Sequence, residues 1–425
     1  MNRFYIEAHG CSRRLLDGER IKNYLLANGG VRVSNPAEAQ HLIVVTCALT
    51  QAMAEECFLN IKGLGKFKGR LIVYGCLPAM LPEKVRNIFG GRVLVTKDIL
   101  QMDDLFPEFS VKFHTIPDAN RTLKAFGNAL DFKTGSGHFL AHQVNRVRKA
   151  GRILINEYAS HWPAPLRLRK GLSDLCRMGQ PVIEGVFGGI GFNPRIGSIR
   201  VSEGCEGHCS YCGIKKAIGK TKSKPIAVIQ DELRRLVESG QYRVNVCSSD
   251  VGSYGVDIQS SLPGLLGAIL GCDKRVRIEF LQDLSPHWAC YYKEKIMGLL
   301  GEQRINGILM PVQSGSERIL KLMRRDLDLM KFKQCVADMR QQDPRIRLKT
   351  QVIIGFPTET EEDFQQTAGY LEECEFDQVD VFAYFEVDAA EAKTFTPKVP
   401  EGVVQERMDR LLRLLSPRTI KTIGT

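Results

Sequence analysis

Short apolar runs rich in β-branched residues punctuate the first hundred positions. Residues 4–8, 42–46, 71–74 and 93–95 read as strands, and helical stretches lie between them, such as residues 17–27 with Ile21, Leu25 and Leu26 on one stripe. That alternation predicts a small parallel α/β sheet. A second series begins near residue 196, with strand candidates at 197–202, 243–247, 275–281, 306–312, 347–355 and 379–385 and helical segments between them. The first of those helices starts on Pro225 and carries Ile226, Ile229, Leu233, Leu236 and Val237 on one face. Six β-α units in succession predict a parallel sheet curling part-way into a barrel, with its active groups on the loops after the strands. The fold class is α/β. Its expected parts are an N-terminal parallel α/β domain at 1–105, a connector at 106–195, and a partial (β/α)6 barrel with a C-terminal helix at 196–425.

Cysteine placement adds chemistry to this frame. Cys205, Cys209 and Cys212 form a C-x3-C-x2-C triplet on the loop after the first barrel strand. Such a triplet can hold three corners of an iron-sulfur cube through thiolates and leave one iron open to a small molecule. A zinc knuckle or a redox-regulated thiol loop is the plainer alternative. Zinc wants a fourth ligand, and His208, wedged between two of the thiols, is poorly placed to close a tetrahedron. In the first domain, Cys11 follows strand one, Cys47 ends strand two and Cys76 ends strand three, with Gly10 and Gly75 directly before two of them. Carboxyl ends of parallel strands share one edge, so these three converge and can ligate a second cluster. Any one of them alone would read as a buried space-filler, as Cys57, Cys176, Cys247, Cys272, Cys290, Cys335 and Cys374 do.

With Tyr211 just before its last cysteine, the triplet resembles the signature of the radical S-adenosylmethionine (SAM) superfamily. Gly10-Cys11 followed by Asp17 and Glu19, Val45-Thr46-Cys47-Ala48 and Gly75-Cys76-Leu77 are similar to the N-terminal domain of the methylthiotransferases typified by MiaB and RimO. The resemblance implies two 4Fe-4S clusters, one on Cys205, Cys209 and Cys212 and an auxiliary one on Cys11, Cys47 and Cys76. Pro311-Val-Gln313-Ser314-Gly315-Ser316 and Ile354-Gly355-Phe356-Pro357 resemble the family's Gln-Ser-Gly-Ser and Gly-Phe-Pro segments, and Ser249-Asp250 through Asp257 resembles the RimO version of its loop. It therefore implies a SAM site built from Tyr211, Gly213, Ser249, Asp250, Gln313, Ser314, Gly315, Ile354 and Gly355. Small and amide side chains with nearby backbone N–H groups suit the amine, carboxylate and ribose of SAM.

Three features depart from the family pattern. Gln351 stands where a strand-five aspartate is usual, Tyr384-Phe385-Glu386-Val387 replaces the expected Tyr-Ser-x-Arg type of stretch, and the sequence ends at Thr425 without room for the C-terminal TRAM barrel. Residues 111–180 hold 12 Lys and Arg against 4 Asp and Glu, so about +8 of the chain's formal +11 falls in the connector, with Phe139, Tyr158, His161 and Trp162 interleaved. Such a segment suits RNA or an acidic peptide as a recognition insert, or is a solvated basic face.

The remaining composition narrows the class. The N-terminus has no apolar leader, and no apolar run approaches the roughly 20 residues that span a bilayer. Thirteen cysteines without an export signal point to reduced thiols and metal ligands in a cytoplasmic protein, not to a disulfide framework. The resemblance implies a methylthio group inserted at an unactivated C–H bond, with a flavodoxin- or ferredoxin-type reductant. A peptide or protein substrate is favoured; a tRNA adenosine is the alternative. A peptide oxidase or cross-linking enzyme, and a non-catalytic iron-sulfur assembly or sensing protein, are further alternatives from other classes.

Overall fold

A computed structural model of the chain describes residues 2–120, 196–374 and 376–415, and the backbone of 419–422. Its first sheet is wholly parallel, in the order β2-β1-β3-β4-β5, from β1 (Arg3–Ala8), β2 (Val31–Arg32), β3 (His41–Thr46), β4 (Arg70–Gly75) and β5 (Val93–Val95). Leu42, Ile43, Val44, Val45, Ile72, Val73 and Tyr74 are fully buried, because helices cover both faces and leave no polar side to alternate toward. The helix Ser12–Ala27 begins five residues before the expected stretch, with Cys11 as its N-cap residue.

The second sheet is also parallel and has seven strands, in the order β14-β13-β12-β11-β10-β9-β6. These are β6 (Gly197–Arg200), β9 (Arg243–Cys247), β10 (Arg277–Leu281), β11 (Gly307–Leu309), β12 (Arg347–Ile354), β13 (Gln378–Ala383) and β14 (Thr419–Thr422), while β7 (Ser202–Glu203) and β8 (Lys222–Ser223) form a separate antiparallel pair. Six of the seven match the predicted positions. The seventh, β14, extends the sheet beyond the six-unit expectation and pairs with β13 from Gln378↔Thr419 to Val381↔Thr422. Along β12 the burial alternates: Leu348, Thr350, Val352 and Ile354 are buried, and Arg347, Lys349, Gln351 and Ile353 are more open, on the opposite face.

Residues 106–120, counted with the connector on composition, pack against the first domain. Phe106, Phe109 and Phe113 surround Tyr24, with ring centroids 6.2, 5.4 and 5.2 Å from it. The rest of the connector, including its basic and aromatic cluster, lies outside the described residues.

Both sheets belong to one compact unit, and a chain of buried charges joins them. Arg200, at the end of β6 and 1% exposed, donates from Nη1 to Asp17 Oδ1 at 2.5 Å and from Nε and Nη2 to the two oxygens of Asp118 at 2.9 and 2.5 Å. Asp17 also pairs with Arg14 at 2.8 Å and accepts from the Tyr74 hydroxyl at 2.8 Å, so the network reaches β4. Lys224 continues it from Asp118 (2.9 Å) to Glu232 (2.8 Å). Burial pushes the Asp118 carboxyl up, but Arg200 and then Lys224 outweigh it and hold it well below the usual carboxylate range. A second tie lies nearer the rim: Arg13 donates to Asp283 Oδ2 and to the Ser248 carbonyl, both at 2.5 Å, and Ser12 donates to Gln282 at 3.0 Å.

Removing one partner from a buried network strands the others. Arg200→Met should therefore destabilise the chain by about 3–5 kcal/mol, read as a lowered urea midpoint; a loss under about 1 kcal/mol would show that water replaces the guanidinium there.

Candidate functional site

The carboxyl edge of the first sheet gathers Cys11, Cys47 and Cys76 from the loops after β1, β3 and β4. These strands are immediate neighbours, in register from Ala8↔Val45 to Thr46↔Gly75, so the cysteines follow one another at strand spacing. Local backbone makes this possible. Gly10 has φ +111°, and a Cβ there would lie 2.3 Å from Cys47 Cβ and 2.9 Å from its Sγ. Only glycine lets the β1 turn press against the neighbouring thiol. Cys47 is fixed from behind by Cys57, which accepts from the Cys47 N–H and donates to its carbonyl, both at 3.4 Å. Burial pushes the Cys57 thiol up to about 12, so it remains a neutral donor. A space-filling role understates this residue.

Cations surround the trio. A hydrogen bond with Cys47 lowers the Cys11 thiol well below its ordinary value, and Arg13 and Arg14 add to that effect. Burial raises the Cys76 thiol, against the pull of Arg14, and Thr96 Oγ1 lies 3.7 Å from its sulfur. Arg14 also donates to Thr96, which ties the buried guanidinium to the rim.

The second trio occupies the loop between β7 and the helix Ile214–Ile218. Gly204, at φ +82°, leads into Cys205, and a Cβ on it would sit 1.8 Å from the Lys220 carbonyl oxygen. The loop is pinned at Ser210: its N–H donates to Met323 O (3.1 Å), its hydroxyl to Leu322 O (2.7 Å), and its carbonyl accepts from Ala392 N–H (2.8 Å). All three sulfurs belong to half-buried residues. Burial raises Cys205 to about 11 and Cys212 to about 12. His208 faces Lys215 Nζ at 3.2 Å. Among the described residues no three His, Cys, Asp or Glu side chains gather tightly enough to hold one metal ion. Thiolates on separate irons of a cube stand further apart than ligands sharing a single ion, and three per site is the donor set a cluster with one open iron takes.

The two trios share one hydrophobic cluster. Cys76, Leu77 and Met80 pack with Ala217, Ile218, Val387 and Ala390, and Cys205 lies against the same group. Gly213 sits at this junction, where an added Cβ would meet Ala389 and Val387 at 3.1 Å and Met80 at 3.6 Å.

Around the second trio the expected SAM-site residues divide. Gln313, at φ +75°, holds its backbone between Gln351 and Ile353, and its Oε1 is buried without a hydrogen-bond partner among the described residues. Ser314 and Gly315 are used internally: the Ser314 hydroxyl lies 3.1 Å from Thr367 Oγ1, the Gly315 N–H donates to that same oxygen at 3.0 Å, and Ser314 is fully buried. The Ile354 side chain belongs to the core between sheet and helices, and Gly355 donates its N–H to Glu359 at 2.9 Å. Asp250 accepts from the Gly252 and Ser285 N–H groups at 3.1 and 3.3 Å. Burial raises it to about 6, and its charge is felt at Cys205. Ser249 is half-buried beside it.

Sequence reasoning missed the most telling member. Arg325 donates to Cys209 Sγ (3.7 Å), to the Tyr211 hydroxyl (3.2 Å) and to Pro311 O (2.7 Å), and its Nε is buried with no partner. Ile353, Tyr384 and Phe356 join Tyr211 in a small apolar cluster, and the Tyr384 hydroxyl is likewise buried and unpartnered. Buried groups of this kind are rare in a finished interior. The unpartnered Gln313, Arg325 and Tyr384 atoms beside an apolar wall fit a polar ligand with a flat ring, as SAM is. The signal for Arg325 was its place just after the helix that follows Gln313 to Ser316, but nothing in sequence aims it back at Cys209.

A family model for the radical SAM superfamily matches residues 199–371, and one for "Uncharacterized protein family UPF0004" matches residues 3–96. The ribosomal protein uS12 methylthiotransferase RimO of Thermus thermophilus is 30% identical over 422 residues, covering 95% of this chain and 80% of that protein. A tRNA-2-methylthio-N(6)-dimethylallyladenosine synthase of Tropheryma whipplei is 28% identical over 417 residues, covering 97% and 77%. Among solved structures, the radical SAM methyltransferase TsrM from Kitasatospora setae shares the fold at a TM-score of 0.58 and 13% identity, over 92% of this chain and 77% of that one. The fold and both thiol rims define a radical SAM enzyme. The chain belongs to the radical SAM methylthiotransferase family, whose cofactors are SAM and two 4Fe-4S clusters.

Two outcomes test this site. Gly10→Ala should displace Cys47 and remove about half the iron bound on anaerobic reconstitution, whereas the triple change of Cys205, Cys209 and Cys212 to Ala should remove the other half; equal loss of both clusters from Gly10→Ala would mean general misfolding. Because the folded chain raises Asp250 above its ordinary 3.8, its contribution to stability is full below that value and is lost as pH rises through about 6. Relative to wild type, Asp250→Asn should flatten the stability profile by about 3 kcal/mol between about pH 4 and 6, measured by urea unfolding of the apo chain.

Proposed function

We propose that this chain inserts a methylthio group at an unactivated C–H bond of a peptide or protein, in the cytoplasm, with electrons from a flavodoxin- or ferredoxin-type protein. The observation that carries the reading is the pair of separate thiol trios at the shared hydrophobic junction, Cys11, Cys47 and Cys76 on one rim and Cys205, Cys209 and Cys212 on the other. When bound, SAM and the two clusters supply a radical that opens the C–H bond and a sulfur that fills it.

The chain's own residues would do the rest. Cys205, Cys209 and Cys212 would hold one cluster and Cys11, Cys47 and Cys76 the other. Arg325 is placed to meet an anionic group beside Cys209, Gln313 Oε1 to accept from a donor on the bound nucleoside, and Tyr211, Ile353 and Phe356 to exclude water from it. Ser314, Gly315 and Ser316 support the site from behind: the first two meet Thr367 Oγ1, and Ser316 donates at 2.7 Å to Asp363, which forms a capping box with Thr360 at the start of the helix Glu361–Glu373. No side-chain acid or base is needed for such a step.

Similarity to a ribosomal-protein methylthiotransferase at 30% identity favours a protein substrate. The second reading, a tRNA adenosine, rests on relatives of 27–28% identity that act there. Anaerobic turnover with SAM and dithionite, offering ribosomal protein uS12 and tRNA bearing N6-dimethylallyladenosine side by side, separates them. The expected product is uS12 heavier by one CH2S unit, lost in Cys11→Ala and in Cys205→Ala. The same gain on tRNA alone would establish the second reading, and loss of hydrogen without added sulfur would sink both.

A further inference from the structure

The opposite edge of the first sheet carries a feature that the cysteine chemistry does not use. Between residues 62 and 92 the chain has seven Lys and Arg and a single carboxylate, Glu83. Lys62, Lys66, Lys68, Arg86 and Arg92 are exposed, and none is ion-paired with any described residue. Glu83 lies in the field of Lys393 and leaves the others unneutralised. A notch of about 390 Å³ opens among them, formed by the end of the helix Gln51–Leu64, the entry to β4 and the turn after the helix Pro82–Ile88.

The lining combines cations, rings and glycines. Lys62 and Lys66 stand on one side, and Phe67 and Phe89 present half-buried rings whose inner faces rest on the domain core. Gly91 permits this: a Cβ there would lie 2.4 Å from the Phe89 ring, so any larger residue would push the ring away. Lys68 and Arg92 follow directly on the lining residues Phe67 and Gly91.

We propose that this face binds single-stranded nucleic acid, with a base seated in the notch against Phe67 or Phe89 and phosphates held by the flanking Lys and Arg. Exposed cations with no ion-pair partner among the described residues match a polyanion by charge, and half-buried aromatic rings lining a small cleft match a planar base, which an acidic peptide does not offer. β4 separates the notch from Cys76 by its length of six residues, about 20 Å. The surface is therefore a docking site apart from the reacting atoms.

The test uses the full chain under anaerobic conditions and fluorescein-labelled oligouridylate, followed by anisotropy across salt. Lys62→Glu with Lys66→Glu should weaken binding at least tenfold and reduce the slope of log affinity against log salt by about 1.4. Lys62→Arg with Lys66→Arg should retain it. Phe67→Leu, which keeps apolar packing and removes the stacking face, should weaken it about fivefold or more. Photocrosslinks from 4-thiouridine should fall in peptides within residues 62–92. Crosslinks confined to other segments, unchanged affinity in the charge-reversed variant, or equal binding of polyglutamate that the same variant abolishes would overturn the proposal; the last would assign the face to acidic protein.

Discussion

A buried guanidinium is the centre of the charge network that joins the two halves of this molecule. Arg200 is fully buried and pairs with Asp17 and Asp118, which it shares with Arg14 and Lys224, and with Glu203 at 3.1 Å. Taking so many charges out of water is costly unless each finds its counterpart. Here Arg14, Arg200 and Lys224 alternate with Asp17, Asp118 and Glu232, and Tyr74 completes the donor set at Asp17. The positions matter as much as the energies. Arg14 lies three residues beyond Cys11, Tyr74 two before Cys76, and Arg200 five before Cys205, so the network fixes the register between the rims on which both thiol trios stand.

Backbone geometry and charge then set each rim. Glycines at positive φ lead into Cys11, Cys76 and Cys205, and at each the missing Cβ admits a neighbouring strand or loop. The first rim adds Arg13 and Arg14, the second Arg325. A thiolate site bound to iron carries net negative charge, and buried guanidiniums next to sulfur offset it without supplying a competing ligand. Neutral Cys57 steadies Cys47 from behind in the same way, as a hydrogen-bond partner.

The strands were legible because parallel strands covered on both faces read as continuous apolar runs, and β5 and β9 match the predicted residues end for end. β14 was not, since four residues, Thr419 to Thr422, give no periodicity. Motif matching located the loops of the second site but not the role of each side chain in them. Ser314 and Gly315 look like ligand donors in sequence, yet Thr367, some fifty positions later, takes up their polar groups. Arg325, Arg200 and Asp118 stayed hidden for the complementary reason: their partners lie on other elements, and no local pattern marks a long-range pair.

The departure at Gln351 shows how far position in sequence and position in space can differ. β12 carries a glutamine where the family usually has an aspartate, which on sequence alone removes a carboxylate from the barrel interior. In the sheet, Gln351 pairs with Asp380 of β13 as direct neighbours. In-register residues on adjacent parallel strands project to the same face, so Asp380 puts a carboxylate beside Gln351, one strand across. It is buried, and Gln378 donates to it at 2.6 Å. A buried carboxylate held by a strand neighbour is kept in place before any ligand arrives. The sheet therefore holds a fixed carboxylate at the level of Gln351, on the neighbouring strand.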